Sequence, residues 1–371
     1  MSPAFVHAAD FHLGADFRRF GTAAEKLRAA QWDAFTKTLA FAASSEAAFV
    51  LICGDLFDSR FPRTDVAAQA RAILARFSSK PIFILPGTHD YLSDGSILDR
   101  DDFRAGLSHV IILDGRIQSP LILPEFNCRL YFAANRSNRS AVSPIAGFLR
   151  GAADSFHIGA AHGSLQIGGW NTAYDFPINP REIGRSGLDY LALGHWHRYR
   201  RERIGSTLVI YPGTPQPMGF SDPETGAIMY VRLEPNGRTS VERVPTGTIS
   251  FTTLNERIYH PHQVKQLLEN AADPNKVLKT AFTYSDNFNE PTKVAAIVTS
   301  FAPRFLFMVN QDTPESIGGF ERPDNPPAEA SALISGFLAE LNRLKAADSP
   351  ERAGLYDKAA DLGTRLIRGD L

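Results

Sequence analysis

The stretch Phe49-Val50-Leu51-Ile52-Cys53-Gly54-Asp55-Leu56-Phe57-Asp58 decides how this chain is read. A short, unbroken apolar run of this kind reads as a strand covered on both faces. It stops at Gly54, which permits a sharp backbone turn, and it delivers Asp55 and Asp58 to the strand end. The same arrangement lies on both sides. Residues 4–9 form an apolar run that ends in Asp10-Phe11-His12, and Pro81 to Leu85 run into Pro86-Gly87-Thr88-His89-Asp90. Leu27, Trp32, Phe35, Leu39 and Ala42 keep helical spacing over roughly 23–43. Thr22 is the expected N-cap of that helix, and Glu25 completes a capping box. A second helix is predicted over about 64–77. Strand, helix, strand, helix, strand means βαβ units and a largely parallel inner sheet with covered faces.

Farther along, residues 109–133 are strand-rich. The run 156–161 precedes His162-Gly163, and 188–193 precedes Gly194-His195-Trp196-His197. Strands at 208–211 and 227–231 are expected to complete a second, more antiparallel set, with the first domain (1–245) ending at Pro245-Thr246-Gly247. Residues 249–312 read β-α-β-α-β, a small α+β domain spanning 246–318. Its strands are expected near 250–258, 277–284 and 304–311, and its helices near 261–271 and 291–302. Pro323, Pro326 and Pro327 mark a linker. Helices over 328–345 and 350–367 then fill 319–371. The first carries Leu333, Ile334, Phe337, Leu338, Leu341 and Leu344 as an apolar stripe, which could pack on its own domain or dock on a partner. The fold class is α/β in the large domain and α+β overall.

A chain of 371 residues is long enough for two or more domains. Its 44% hydrophobic and 21% charged content is that of a globular protein, and no run approaches a membrane span. The net charge of −1 excludes a global basic field, so any contact with nucleic acid must come from a local patch. Cys53 and Cys128 suggest no disulfide framework, which fits a reducing cytoplasm. Asp10 and His12 interrupt the first apolar stretch, so a signal peptide is not expected there.

Five of the ten histidines, His12, His89, His162, His195 and His197, fall in these strand-end clusters together with Asp10, Asp55, Asp58 and Asp90. Carboxylates mixed with imidazoles suit two neighbouring divalent cations. Such a pair clamps a phosphoryl group and generates a hydroxide nucleophile. Asp10 and His12 can reach one cation. Asp55 can bridge two with its two oxygens, and His195 and His197 can each serve a different ion. The reaction expected is metal-dependent phosphoester hydrolysis.

The five clusters resemble those of the calcineurin-like metallophosphoesterase superfamily over about residues 4–231. Gly54-Asp55-Leu56-Phe57-Asp58 and the α+β module that follows are most similar to the SbcD-type DNA-repair exonucleases. The resemblance implies a four-layer α/β/β/α sandwich with a small α+β cap. It implies that Asp10, His12 and His197 hold a first metal, His162 and His195 a second, and that Asp55 bridges them. His89 would act at the scissile phosphate, Asp90 would orient His89 or a neighbouring loop, and Asp58 would fix a ligand histidine. Thr88 departs from the pattern, because the family places at this position an asparagine that binds the second metal. Manganese is the expected working ion, with iron, zinc and magnesium as alternatives.

The function implied is DNA exonuclease or phosphodiesterase activity in DNA repair. Two rivals stay open: a small-molecule phosphodiesterase or phosphatase of the same superfamily, and a weakly active or non-catalytic subunit that recruits an ATPase. In the exonuclease branch, C-terminal helices bind an SbcC-type coiled-coil ATPase, and homodimers are usual. Arg18, Arg19, Arg136, Arg198 and Arg200 are candidate DNA contacts or, equally, parts of solvated faces. His260 and His262 read as surface residues, and His7, His109 and His157 as structural ones.

Overall fold

The computed structural model describes residues 3–151, 155–167, 173–222, 226–285 and 288–310. The strands in chain order begin with β1 Ala4–Ala8, β2 Phe49–Cys53, β3 Ile82–Leu85, β4 Val110–Ile112, β5 Leu121–Leu123, β6 Cys128–Phe132 and β7 Phe156–His162. They continue with β8 Ser164–Leu165, β9 Pro177–Ile178, β10 Tyr190–Gly194, β11 Arg200–Ile204, β12 Thr207–Tyr211, β13 Ala227–Leu233 and β14 Thr239–Pro245. Two six-stranded sheets result. The first runs β14-β13-β1-β2-β3-β4 and the second β11-β12-β10-β7-β6-β5.

The pairing corrects the expected division of strands. β13 does not join the second sheet; it lies antiparallel to β1, with Phe5 opposite Val231. The second sheet is parallel through its centre, β6-β7-β10-β12, and antiparallel only at its two edges. An apolar run specifies a strand but not its partner, and the partner is set by which faces the whole chain can cover.

Side-chain alternation along the strands builds the layers. Phe5, Phe49, Leu51 and Phe83 of the first sheet pack against Leu130, Ile158, Tyr190 and Ile210 of the second. Val6, Val50, Ile52 and Ile84 face the other way, onto Phe35 and Leu39 of the helix Ala24–Ser44 and Leu74 of the helix Thr64–Arg76. On the outer face of the second sheet, Leu191, Leu193 and Val209 pack with Ile183 of the short helix Pro180–Ser186. Helix, sheet, sheet, helix is the four-layer α/β/β/α sandwich.

Thr22 is not a cap. It falls just after a kink at Phe20 and Gly21 that interrupts the 3-10 segment Arg18–Ala23, which runs into the helix starting at Ala24. The Ala24 N–H is taken by the Gly21 carbonyl, so the turn supplies what the side chain was expected to supply.

Beyond residue 245 come β15 Ser250–Leu254, β16 Arg257–Ile258, β17 Asp273–Thr280, β18 Thr283–Tyr284 and β19 Phe305–Asn310, with helices Pro261–Ala271 and Pro291–Phe301. β15, β17 and β19 form a parallel sheet. Phe251 and Phe307 pack on Phe20, at centroid distances of 5.3 and 5.9 Å. This module therefore belongs to the same compact unit as the sandwich. A second unit, apart from Phe288, lies outside the described residues. The expected linker prolines, the helices over 328–345 and 350–367 and their apolar stripe fall there.

Candidate metal centre

Both sheets present the carboxyl ends of their parallel strands at one place. Ala8 pairs with Ile52 and Cys53 with Leu85, so the turns after β1, β2 and β3 leave the sheet nearly level. In the other sheet His162 pairs with Gly194, which brings His162 and His195 together. Backbone bonds tie the turns to each other: Asp10 N–H to the Gly54 carbonyl at 3.1 Å and His12 N–H to the Asp55 carbonyl at 3.0 Å. Both oxygens of Asp10 accept the His195 N–H, at 3.0 and 3.1 Å, and so join the two sheets. Asp10, His12, Asp55 and His195 all have positive φ, of 57°, 49°, 51° and 104°. Each such non-glycine residue costs about 1–3 kcal/mol and persists only where its surroundings enforce it. Gly54 is required here, since a Cβ would lie 2.1 Å from His162 Nδ1.

Three overlapping groups result, each with ligand atoms within 4.8 Å of one another: Asp10, His12 and His197 form one set, Asp55, His162 and His195 a second, and the exposed His89 joins His12 and Asp55 in the third. Asp55 Oδ2 lies 3.8 Å from His12 Nε2 and 3.2 Å from His162 Nε2. Its Oδ1 instead accepts the backbone N–H of His89 at 2.8 Å. Asp55 Oδ2 is thus the oxygen that faces both sets, while Oδ1 carries one backbone hydrogen bond. Thr88 Oγ1 lies 3.2 Å from Asp55 Oδ2 and 3.3 Å from His162 Nε2, so the hydroxyl borders the second set.

Every imidazole is aimed through its other nitrogen. His12 Nδ1 meets Asp58 Oδ1 at 3.1 Å, and His162 Nδ1 donates to the Cys53 carbonyl at 2.9 Å. His195 Nε2 meets Asp175 Oδ1 at 2.9 Å, and His197 Nδ1 lies 3.8 Å from Asp222 Oδ2. A carboxylate or carbonyl behind the ring fixes the tautomer and orientation of a metal-ligating histidine. Neighbouring ligands about 2.1 Å from an octahedral cation are themselves about 3 Å apart. His12 Nε2 and His197 Nε2 are 3.0 Å apart, and Asp55, His162 and Thr88 meet at 3.2–3.3 Å. The residues present fit a pair of divalent cations.

The electrostatics agree. Burial would raise the Asp55 carboxyl, but His162, His12 and His89 hold it well below the usual carboxylate range. Burial disfavours charge on His162, yet Asp55 and Asp10 outweigh it and raise the ring to about 9. His197 is also raised, because Asp222 and Asp10 outweigh its burial. Buried carboxylates thus draw positive charge to this point, and ligation by a cation would displace those protons.

The other candidate residues are placed as follows. Asp90 is fully buried and accepts the backbone N–H groups of Gly87, Phe57 and Asp55 at 2.7, 3.1 and 3.3 Å. Of the two roles open to it, these contacts are those of orienting a loop. Burial and the neighbouring Asp55 raise its carboxyl to about 7. The His89 side chain is 49% exposed, and its Nδ1 donates to the Asp58 carbonyl at 3.0 Å. Arg19 lines a cavity with Asp58 and His197, while Arg198 and Arg200 line another with His195 and His197. Arg18 pairs with Asp16 in a separate hollow, and Arg136 lies against Gly115, so neither is brought to the centre. His260 and His262 are exposed, and His7, His109 and His157 hydrogen-bond within the fold. Sequence reasoning missed Asp175, Asp222 and Asn135, whose Nδ2 donates to the His162 carbonyl at 3.1 Å. No motif marks them.

Residues 3–199 match the calcineurin-like phosphoesterase family, and the chain belongs to that family. The chain is 25% identical over 261 residues to "Uncharacterized metallophosphoesterase YhaO" of Bacillus subtilis (strain 168). That match covers 64% of this chain and only 59% of the relative. Among solved structures, TT1561 of Thermus thermophilus aligns at 10% identity and a TM-score of 0.41, over 66% of this chain and 99% of that one. Vacuolar Protein Sorting 29 from Cryptosporidium parvum aligns at 15% identity and a TM-score of 0.30, over 65% and 96%. No helix among the described residues is long and apolar enough to cross a membrane.

Proposed function

We propose that this protein is a two-metal phosphodiesterase that degrades DNA from an end, with manganese as the working ion and a role in DNA repair. The observation that carries the phosphodiesterase reading is the single Asp55 oxygen shared by two ligand sets. Asp10, His12 and His197 would hold one cation, His162, His195 and Thr88 the other, and Asp55 both. When bound, such a pair clamps a phosphoryl group and activates water. The chain's own residues shape that step. Asp58 and Asp175 aim their histidines at the centre. His89, anchored through Nδ1, leaves Nε2 to face the leaving oxygen, to which it would give a proton from the imidazolium form.

Support for a polymeric substrate comes from the surroundings. Cavities of about 330 and 500 Å³ extend from His197, one past Arg19 and the other past Arg198 and Arg200. Phe17 lines the first, and it belongs to the same apolar cluster that holds Phe251 and Phe307 of the module. The module thus braces a groove wall rather than closing a pocket.

The test is degradation of end-labelled linear DNA beside a covalently closed circle, with metal-stripped protein and added manganese. Loss of the linear DNA alone is the expected result. Cutting of both would mean an endonuclease. Hydrolysis of a small aryl diester without either would favour a small-substrate enzyme, and silence on all three would favour a non-catalytic subunit.

A further inference from the structure

A further cavity, of about 450 Å³, shares Asp58 and His195 with the first two and is lined also by Arg60, Thr88, His89, Tyr91 and Asn138. Arg60 is unlike the ion-paired arginines near the ligand loops. Arg18 pairs with Asp16, Arg63 with Asp65 and Arg200 with Glu202, at 3.2, 2.9 and 2.9 Å. Among the described residues no carboxylate lies within ion-pair distance of Arg60. Its guanidinium packs on two rings instead, 4.8 Å from the Phe61 centroid and 4.6 Å from that of Tyr91. Nη1 donates to the Tyr91 hydroxyl. The Arg60 carbonyl is pinned by the Ile97 N–H at 2.8 Å. The side chain is only partly exposed, so this is a positive charge held in place before any anion arrives. Guanidinium donors match phosphate oxygens, and stacking on rings fixes the fork without neutralising it.

We propose that Arg60, aimed by Tyr91, binds a second phosphate of the substrate, the one flanking the scissile ester. The inference rests on the phosphodiesterase reading above and sharpens it: the preferred substrate carries at least two phosphates along one strand. Arg60 lines one cavity with the candidate ligand residues Thr88 and His195, so a phosphate next to the scissile one would face the guanidinium. Asn138, exposed across the same cavity, offers an amide to the sugar or base between them.

The experiment compares bis(p-nitrophenyl) phosphate, the dinucleotide TpT, and TpT carrying an added 5′- or 3′-phosphate, all with manganese-loaded protein. One of the two phosphorylated dinucleotides should be cleaved with kcat/KM at least roughly tenfold above TpT, the scale of one charge-assisted contact. In Arg60→Gln that ratio should collapse toward one, with Tyr91→Phe in between. A merely structural role for Arg60 would lower all substrates in proportion and leave the ratio intact. An intact ratio in Arg60→Gln, or no preference in the unaltered protein, overturns the inference while the phosphodiesterase reading stands. Failure of the unaltered protein on every substrate overturns both.

Discussion

Asp175→Ala should weaken one metal site and spare the other. Asp175 Oδ1 lies 2.9 Å from His195 Nε2, and a ring nitrogen of His195 lies within 4.8 Å of the ligand atoms of Asp55 and His162. The carboxyl is held below its usual range first by the bond to His195, then by Ser164, whose hydroxyl reaches Oδ2. Trp196 Nε1 in turn donates to Ser164 Oγ at 3.0 Å, so the carboxylate is itself fixed. Removing a partner of this kind typically costs roughly 10- to 100-fold in metal affinity, or about 1.4–2.7 kcal/mol. Alanine loses both charge and orientation and should fall near the upper figure. Asparagine keeps an acceptor for the ring and should fall near the lower. The site of Asp10, His12 and His197 contains neither His195 nor Asp175 and should keep its affinity. Calorimetric titration of metal-stripped protein with manganese would resolve the two events. Equal weakening of both, or an unchanged second event in the alanine variant, would refute the assignment of His195 through Asp175.

Three further outcomes follow from the same geometry. Gly54→Ala would place a Cβ 2.1 Å from His162 Nδ1 at a φ of +89°, and should destabilise the fold by at least about 2 kcal/mol; an unchanged melting midpoint would count against that crowding. Thr88→Val removes the hydroxyl that faces Asp55 and His162 and should weaken the second manganese by roughly tenfold, whereas equal affinity would mean that the hydroxyl is not a ligand. Burial lowers His7 from 6.5 to about 3, so on acidification the unfolded chain takes up this proton first. Stability present above pH 6.5 is lost as pH falls toward 3, at about 1.4 kcal/mol per pH unit. Urea unfolding at pH 7 and pH 5 should show a shallower loss in His7→Gln, and parallel losses would refute the burial argument.

The residues that reach the centre were legible where a strand end announced them. Asp10, His12, Asp55, His162, His195 and His197 each follow an apolar run, and period-two burial leaves a strand's last residues little choice of place. The aiming contacts were not legible. Asp175 stands 20 positions before His195 and Asp222 stands 25 after His197 in the chain numbering, and neither sits in a recognisable pattern. Nothing in the sequence around Arg60 marks it; its packing on Phe61 and Tyr91, with no carboxylate in ion-pair reach among the described residues, exists only in the fold. The Thr22 cap failed for a local reason, since a 3-10 turn had already satisfied the helix start.

By itself the sequence determined the βαβ frame and which candidate ligands stand at the strand ends, in what order, because apolar periodicity and donor chemistry are local properties. Tertiary structure alone decided the partner of β13, the commitment of one Asp55 oxygen to the His89 N–H, and the carbonyl of Cys53 behind His162, 109 residues away. Those choices depend on which surfaces two packed sheets bring within hydrogen-bond reach, and spacing along a chain carries no record of that distance.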